Sequence, residues 1–433
     1  MPRRDAISVI ACLLIALVLR FGVILSQPAQ LTVDRDAYIA IATSIVEGRG
    51  YSGPHSTHPT AFRPPIYPLS LAAGRILLPT PVVVAGLNLI CGLVAVWFTI
   101  QVGALLHLGE WRFLAGLLIA IDPLLLQYSA QPMTESLCVV LAIGWLWSVL
   151  NENSEKPAWR VIQWIRCGAV FGILVLSRPT FWPIAAIEGL FWLMALLRTQ
   201  QSVDRITRIN VGLVHLGTTV VVVAPWLIRN WIVMAAPILT TTHGGYTLLL
   251  GNNPVFYREV VEKPWGTTWP DESQHQWEAD LEASLVRDLG ANASEVARDA
   301  WQSRQARQNM LDEPRLCLQA AFHRIRSFWN TTPQGDAAKG VNSAVLALVG
   351  WYSVFFITVA LMGMGLVVAR TERARWVPLY SLVVALQVVH LFYWTNTRMR
   401  APLTPALALF AAATCSTWPT NRQRSGHGET IGI

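Results

Sequence analysis

The sequence predicts an all-α protein that crosses a membrane about ten times. Three observations predict it. Of 433 residues, 53% are hydrophobic and only 14% charged, where soluble domains run nearer a quarter charged. The mean hydropathy is +0.42, and apolar runs close to the roughly 20 residues that span a bilayer core recur along the chain. The basic residues behind the net charge of +7 fall in short connections between those runs, as membrane orientation requires, so the charge signals a bilayer and no nucleic acid.

Spans are expected at 7–26, 81–106, 111–129, 134–150, 164–178, 180–197, 211–230, 341–369, 377–395 and 401–418. The opening "MPRRDAISVIACLLIALVLRFGVILS" lacks a small-x-small cleavage site and is long enough to span, so it is expected to be retained. With the N-terminus inside, the cytoplasmic connections hold Arg3, Arg4, Arg112, Lys156, Arg160, Arg198, Arg205, Arg208, Arg370, Arg373, Arg375, Arg422 and Arg424. That bias fixes a multi-pass topology, and the membrane is expected to be the cytoplasmic (inner) one. The six cysteines have no metal-ligand spacing, and five of them sit in or beside apolar runs as small hydrophobes.

Two longer segments then fall outside. Residues 27–80 form a first outer loop within an N-terminal membrane region, 1–230, and carry an interfacial helix expected from Asp36 to Glu47, with Ile39, Ala42, Ile45 and Val46 at helical spacing. Residues 231–340 form an extracytoplasmic segment with helices expected near 272–289, 294–311 and 314–329, Pro314 suiting a helix start. Residues 341–418 supply the C-terminal spans, and 419–433 read as a disordered cytoplasmic tail.

Charged residues that stay on the outer face against the positive-inside bias are Asp34, Asp36, Arg63, Glu135, Arg178, Arg229, Arg398 and Arg400. Arg20 sits in the first span about two turns from its outer end. There it either serves a site or snorkels to the headgroups. Arginines at headgroup level can hold a lipid phosphate through forked, charge-assisted hydrogen bonds. A carboxylate beside them can take the proton of an attacking hydroxyl. The expected chemistry is group transfer from a polyprenyl phosphate, with the site facing outward.

"VDRDAY…IA…GRGYS" followed by "TAFRPPIYPL" resembles the first outer loop of the GT-C glycosyltransferases. The likeness is to the bacterial branch related to protein O-mannosyltransferases and lipid A aminoarabinose transferase. It continues in order through "PMTESL", "LSRPTFWP", "APWLIRNW", "THGGYTLLLGNNP" and "RMRAPLTPALALFAA". The resemblance implies a GT-C-like bundle, a polyprenyl-phosphate-linked sugar as donor, and inversion at the sugar. It further implies a loop Asp as the base, here Asp34. Relatives often carry a second acid directly after it; here that position is Arg35 and the second acid is Asp36, so the choice between the two stays open. Asp36 has a plain alternative as the cap of a helix beginning at Ala37. Glu135 is implied to face the loop carboxylate and position the acceptor, its alternative being a helix N-terminus capped by Thr134. Arg398 and Arg400 resemble the arginines that grip the donor phosphate, with Arg400 preferred.

Arg63, in "FRPPIYP", and Arg20 are further phosphate candidates, while Tyr38, Tyr67 and Arg178 are candidate sugar or acceptor contacts. The prolines after Arg63 are expected to turn the loop back to the membrane. Arg178 and Arg229 serve equally well as interfacial anchors. "GGYTLLLGNNP" reads as turn chemistry or as sugar contacts. His55 and His58 match no zinc spacing. No cofactor is required by the sequence, although a divalent ion between Asp34 and Glu135 is compatible with the acids. The acceptor, a glycolipid, glycan or protein, is expected to be chosen by residues 231–340. The competing function is a transporter or flippase of lipid-linked sugars, which places ionisable groups at the midplane and within repeats. This chain shows neither.

Overall fold

The structure, a computed structural model, describes residues 3–53, 58–151, 157–198, 202–333 and 341–416. Among them there is no strand. Eighteen helices follow one another: α1 Arg3–Ser26, α2 Tyr38–Val46, α3 Ile66–Arg75, α4 Thr80–Leu105, α5 Trp111–Ile121, α6 Pro123–Gln127, α7 Glu135–Leu150, α8 Pro157–Ser177 and α9 Trp182–Arg198. The chain continues with α10 Ser202–Met234, α11 Gly244–Gly251, α12 Pro254–Phe256, α13 Asp271–Leu289, α14 Glu295–Asp312, α15 Pro314–Phe328, α16 Ser343–Val368, α17 Val377–Val389 and α18 Thr404–Ser416.

Among the described residues each of the ten expected spans contains helix, and the protein is a polytopic membrane protein. By length and composition four helices suffice alone to cross a bilayer, α1, α4, α10 and α16, and α5 with α6 makes a fifth as a pair bent by 43°. The remaining apolar helices are shorter, and α17 stops at Val389, six residues before the expected end of its span. Lys156 and the basic residues beyond position 416 lie outside the described residues, as do His55 and the expected tail.

Helix α1 shows how the bundle sorts its faces. Cys12, Ala16, Arg20 and Ile24 recur every four residues and are buried, while Leu14, Val18, Phe21 and Leu25 are exposed. Four-residue spacing makes one stripe, which packs on α4 and α5. The apolar opposite side suits lipid.

The break between α5 and α6 was not expected. Asp122 accepts from the Leu125 amide at 3.0 Å and caps α6, and Pro123 at its first position has no N–H to lose. The turn ends α5 early and leaves carbonyls of its last turn without partners. The Arg20 guanidinium supplies them, bonding Ile119 O at 3.1 Å and Ala120 O at 3.2 Å. Nearby, Asn88 of α4 donates to the carbonyls of Tyr128, Ser129 and Gln131 and holds the chain leaving α6.

Helices α16 and α18 approach closely at Gly363, where an added Cβ would lie 1.8 Å from Phe410 O. Backbone cannot yield as a flexible side-chain end can. Gly363→Ala is therefore expected to destabilise by about 1–3 kcal/mol, read as a lower thermal midpoint in detergent.

The non-spanning segments contain more helix than the sequence suggested. α3 follows Pro64 and Pro65, which start it as well as turning the chain. Between α10 and α13, α11 and α12 lead into a π turn at Tyr257–Val261. The expected helices near 272–289, 294–311 and 314–329 are α13, α14 and α15. Their aromatic and aliphatic residues, Trp277, Leu285 and Trp301 among them, join Trp269 just before α13 in a small core separate from the bundle's own.

Candidate active site

The site forms where the first loop, the start of α7, the end of α8 and the turn before α18 meet. Its centre is Asp36. Arg63 Nη2 lies 3.0 Å from Asp36 Oδ1 and Arg398 Nη1 3.2 Å from Oδ2, while Arg63 Nε also bonds the Asp36 carbonyl at 2.8 Å. Arg398 Nε reaches towards Glu135 Oε1 at 3.9 Å, and Arg178 Nη2 lies 3.6 Å from the same oxygen. Two carboxylates thus face three guanidiniums, leaving one positive charge in excess. All five are largely enclosed, from 1% exposure for the Glu135 side chain to 23% for Arg398.

Burial alone would raise the Asp36 carboxyl, but Arg398 and Arg63 outweigh it and hold the group below the usual aspartate range. Burial would likewise lower Arg398, yet Glu135 and Asp36 push it well above the ordinary arginine value. Both groups stay charged.

Asp34 makes different contacts. Its two oxygens accept from the amides of Ile39 at 3.1 Å and Ala40 at 2.8 Å, at the start of α2. The capping expected of Asp36 is done by Asp34, because Ala37 adopts a left-handed backbone, φ 61°, that turns the Asp36 side chain towards the arginines. A non-glycine residue in that region is strained. Such strain is often found beside functional groups.

Arg398 and Arg400 also divide their roles. They stand two apart on the tight turn Thr397–Leu403, so their side chains diverge. Arg398 enters the acid cluster. Arg400, preferred from sequence, is buried and donates to the carbonyls of Phe328 at 3.2 Å and Asn330 at 3.0 Å, tying down the end of α15. Arg20 neither snorkels nor reaches the cluster; it is 2% exposed and spent on the α5 carbonyls.

Two tyrosines line the space beside Glu135. Tyr38 and Tyr67 meet edge to face with centroids 5.1 Å apart, and the Arg63 guanidinium lies 5.5 Å from the Tyr38 ring centre. Burial pushes Tyr38 up to about 12 and raises Tyr67 well above the ordinary value, so both keep their protons. Several buried polar atoms here make no hydrogen bond within the protein: Glu135 Oε2, Tyr67 OH, Arg178 Nη1 and Arg398 Nε, the last in ion-pair range of Glu135 only. Thr134 sits at the start of α7, but its hydroxyl makes no capping bond.

Reading the sequence missed Glu295. Its carboxylate accepts from Thr60 Oγ1 at 2.7 Å, from the Ala61 amide at 3.1 Å and from the Thr242 hydroxyl. It joins α14 to the strip of loop that carries Arg63. Arg229 reinforces the strip by donating to Thr60 O at 2.7 Å and Tyr51 O at 2.8 Å. Thr241 Oγ1 bonds Phe62 O at 2.6 Å. An isolated Glu in a polar helix gives no sequence signal for a partner 234 positions away. Glu295→Ala strands three donors, so a loss of about 1–3 kcal/mol is expected, with faster hydrogen exchange at the Ala61 amide as the local readout.

Among the described residues no group of three or more His, Cys, Asp or Glu is arranged to hold a metal ion.

No family model matches the chain, and no curated protein does. Solved structures similar to it include two of one protein. The crystal structure of ArnT from Cupriavidus metallidurans bound to undecaprenyl phosphate shares 12% identity over 94% of this chain and 77% of that one, with a TM-score of 0.43. The apo state of the same protein shares 13% over the same fractions, with a TM-score of 0.40.

Proposed function

We propose that the protein is a membrane glycosyltransferase that moves a sugar from a polyprenyl-phosphate donor to a hydroxyl acceptor at the extracytoplasmic face. One observation carries the reading: three guanidiniums and two carboxylates, drawn from four separate parts of the chain, form an enclosed cluster with one positive charge in excess. An excess of fork-shaped donors suits a phosphate. A transporter has no need of a base beside it. The ordered motifs shared with the GT-C enzymes point the same way. For orientation, Arg112, Arg370, Arg373 and Arg375 lie at the opposite ends of the helices, where Arg112 pairs with Asp5 at 2.7 Å. Such short basic connections face the cytoplasm.

In the reading proposed, the donor phosphate competes with Asp36 for Arg63 and Arg398. Loss of those partners frees Asp36 and raises its basicity, so donor binding switches on the base. Asp36 then takes the acceptor's hydroxyl proton as that oxygen attacks the anomeric carbon. The bond from that carbon to the phosphate oxygen breaks, and the electron pair leaves with the polyprenyl phosphate. The arginines stabilise the departing charge without an acid. Attack opposite the leaving group inverts the sugar. Glu135 Oε2 and Tyr67 OH, which have no protein partner, orient sugar or acceptor hydroxyls. Asp34, the expected base, keeps α2 in place.

The test is purified protein with a radiolabelled polyprenyl-phosphate sugar. Release of free polyprenyl phosphate that depends on Asp36 and Arg398 supports transfer. Passage of intact donor between leaflets without release overturns it.

A further inference from the structure

A second pair of ionisable side chains lies among the membrane-spanning helices, away from the charged cluster. Glu188 stands on α9, about 9 Å by helical rise from Trp182 at one end and about 15 Å from Arg198 at the other. His215 stands on α10, about 9 Å inside its apolar stretch Ile209–Met234. Glu188 Oε2 and His215 Nε2 are 3.8 Å apart, and the two side chains are 27% and 18% exposed. A glutamate at that depth is too short to reach the headgroups. An ionisable group held there is costly and marks a site by default. Sequence alone gave no ionisable pair at the midplane, since each residue stands by itself in an apolar run.

The imidazole is walled by apolar rings of α8. Trp164 meets it edge to face with centroids 6.1 Å apart, and Phe171 lies 6.0 Å from it. Between those rings Gly168 lets α8 and α10 close, since an added Cβ would strike His215 O. Helices α9 and α10 touch again one turn away, where an added Cβ on Gly212 would strike the Trp192 ring. Arg166 of α8 turns to the other side, covering the Trp147 ring at 4.3 Å and donating to Ser148 O at 3.5 Å. Among the described residues no other charged side chain comes within ion-pair range of Glu188 or His215. His215 Nδ1 is buried and makes no hydrogen bond within the protein.

Charge balance decides what the pair holds. A carboxylate beside a neutral imidazole would leave one uncompensated negative charge in an apolar setting, where a lone ion is heavily penalised. One added proton removes that charge, whether it rests on Oε2 or makes the imidazole a cation facing the carboxylate. In either place it can join the two atoms across the gap. Among the described residues no third His, Cys, Asp or Glu joins the pair, and two ligands are too few for a metal site of ordinary geometry. We infer that Glu188 and His215 form a proton-binding site within the membrane, its ligand a single hydrogen ion shared by carboxylate and imidazole. Helix α8 packs on His215 and ends one residue before Arg178, so the proton site and the charged cluster share one element. The inference does not rest on the glycosyltransferase reading.

The test uses the full chain in lipid nanodiscs with dicyclohexylcarbodiimide, an apolar reagent that adds to a carboxyl group only when the group carries its proton. Mass spectrometry of the peptides locates the adduct. In the natural sequence Glu188 is expected to be modified about fivefold or more faster at pH 6 than at pH 9, as the shared proton is lost. His215→Gln leaves a lone carboxyl, which in an apolar setting keeps its proton, so similar rates are expected at both pH values. His215→Phe, which keeps a ring between Trp164 and Phe171, is expected to behave the same way, and thermal melting shows which of the two variants is folded. Absence of an adduct at Glu188 at pH 6 overturns the inference. So does the same pH dependence in the natural sequence and in a folded His215 variant. Release of polyprenyl phosphate plays no part in the readout. Failure here leaves the transferase reading standing, and failure of that reading leaves the proton site standing.

Discussion

Asp36→Asn is expected to cut donor turnover by about 10²–10⁴-fold, the range for loss of a general base, while Asp34→Asn leaves it within a few-fold. The contrast follows from what each carboxylate touches. Asparagine caps a helix about as well as aspartate, so the Asp34 variant keeps an acceptor for one of the two amides, Ile39 and Ala40, that Asp34 caps. At position 36 an amide keeps one accepting oxygen and turns an NH2 towards the other arginine, carries no charge and cannot take a proton. Breaking a buried ion pair from one side costs about 3–5 kcal/mol. Arg398 retains Glu135, which places the stability loss at the lower end. The pH dependence has a definite sign. Arginines hold the folded-state Asp36 below its unfolded value, so its stabilisation is complete above the ordinary aspartate value of about 3.9. It is lost as pH falls through the lower folded value. The natural protein should show that acid limb in its melting temperature between about pH 5 and pH 2, and Asp36→Asn should flatten it. Turnover surviving Asp36→Asn but not Asp34→Asn would return the base to Asp34.

Arg20→Met is expected to lower stability by about 2–4 kcal/mol and to leave turnover per folded molecule near the natural level. Methionine keeps most of the volume and removes the desolvation cost of a buried cation, which offsets part of the loss. It also strands Ile119 O and Ala120 O at the α5 break, at about 1–3 kcal/mol each. An arginine serving the donor phosphate would give the opposite pattern, intact melting and collapsed turnover. Thermal melting paired with active-site-normalised rates separates the two.

Much of this was readable in advance. Apolar runs of bilayer length marked ten helical stretches, one of them broken into α5 and α6, and the polar helices α13, α14 and α15 sat within one or two residues of expectation. Side-chain direction was harder. Whether Asp34 or Asp36 caps α2 depends on the left-handed turn at Ala37, which an alanine does not advertise. Arg398 and Arg400 differ by which side of a tight turn they occupy, and composition is blind to that. The α5–α6 break had a signal in Asp122-Pro123, since proline stops the helix before it, but leucine-rich sequence on both sides hid it. Glu295 could not be found at all, because its partners come from distant segments.

The contact between Arg20 and α5 has a consequence for biosynthesis. The carbonyls that receive this guanidinium are made 99 and 100 residues after it. Until they emerge, a newly inserted first helix carries a cation into lipid with nothing to bond, a burden of about 2.5–3.5 kcal/mol on insertion scales. The first helix is therefore expected to linger at the translocon, or tilt Arg20 towards the surface, and to seal into the bundle only after its fifth helix arrives.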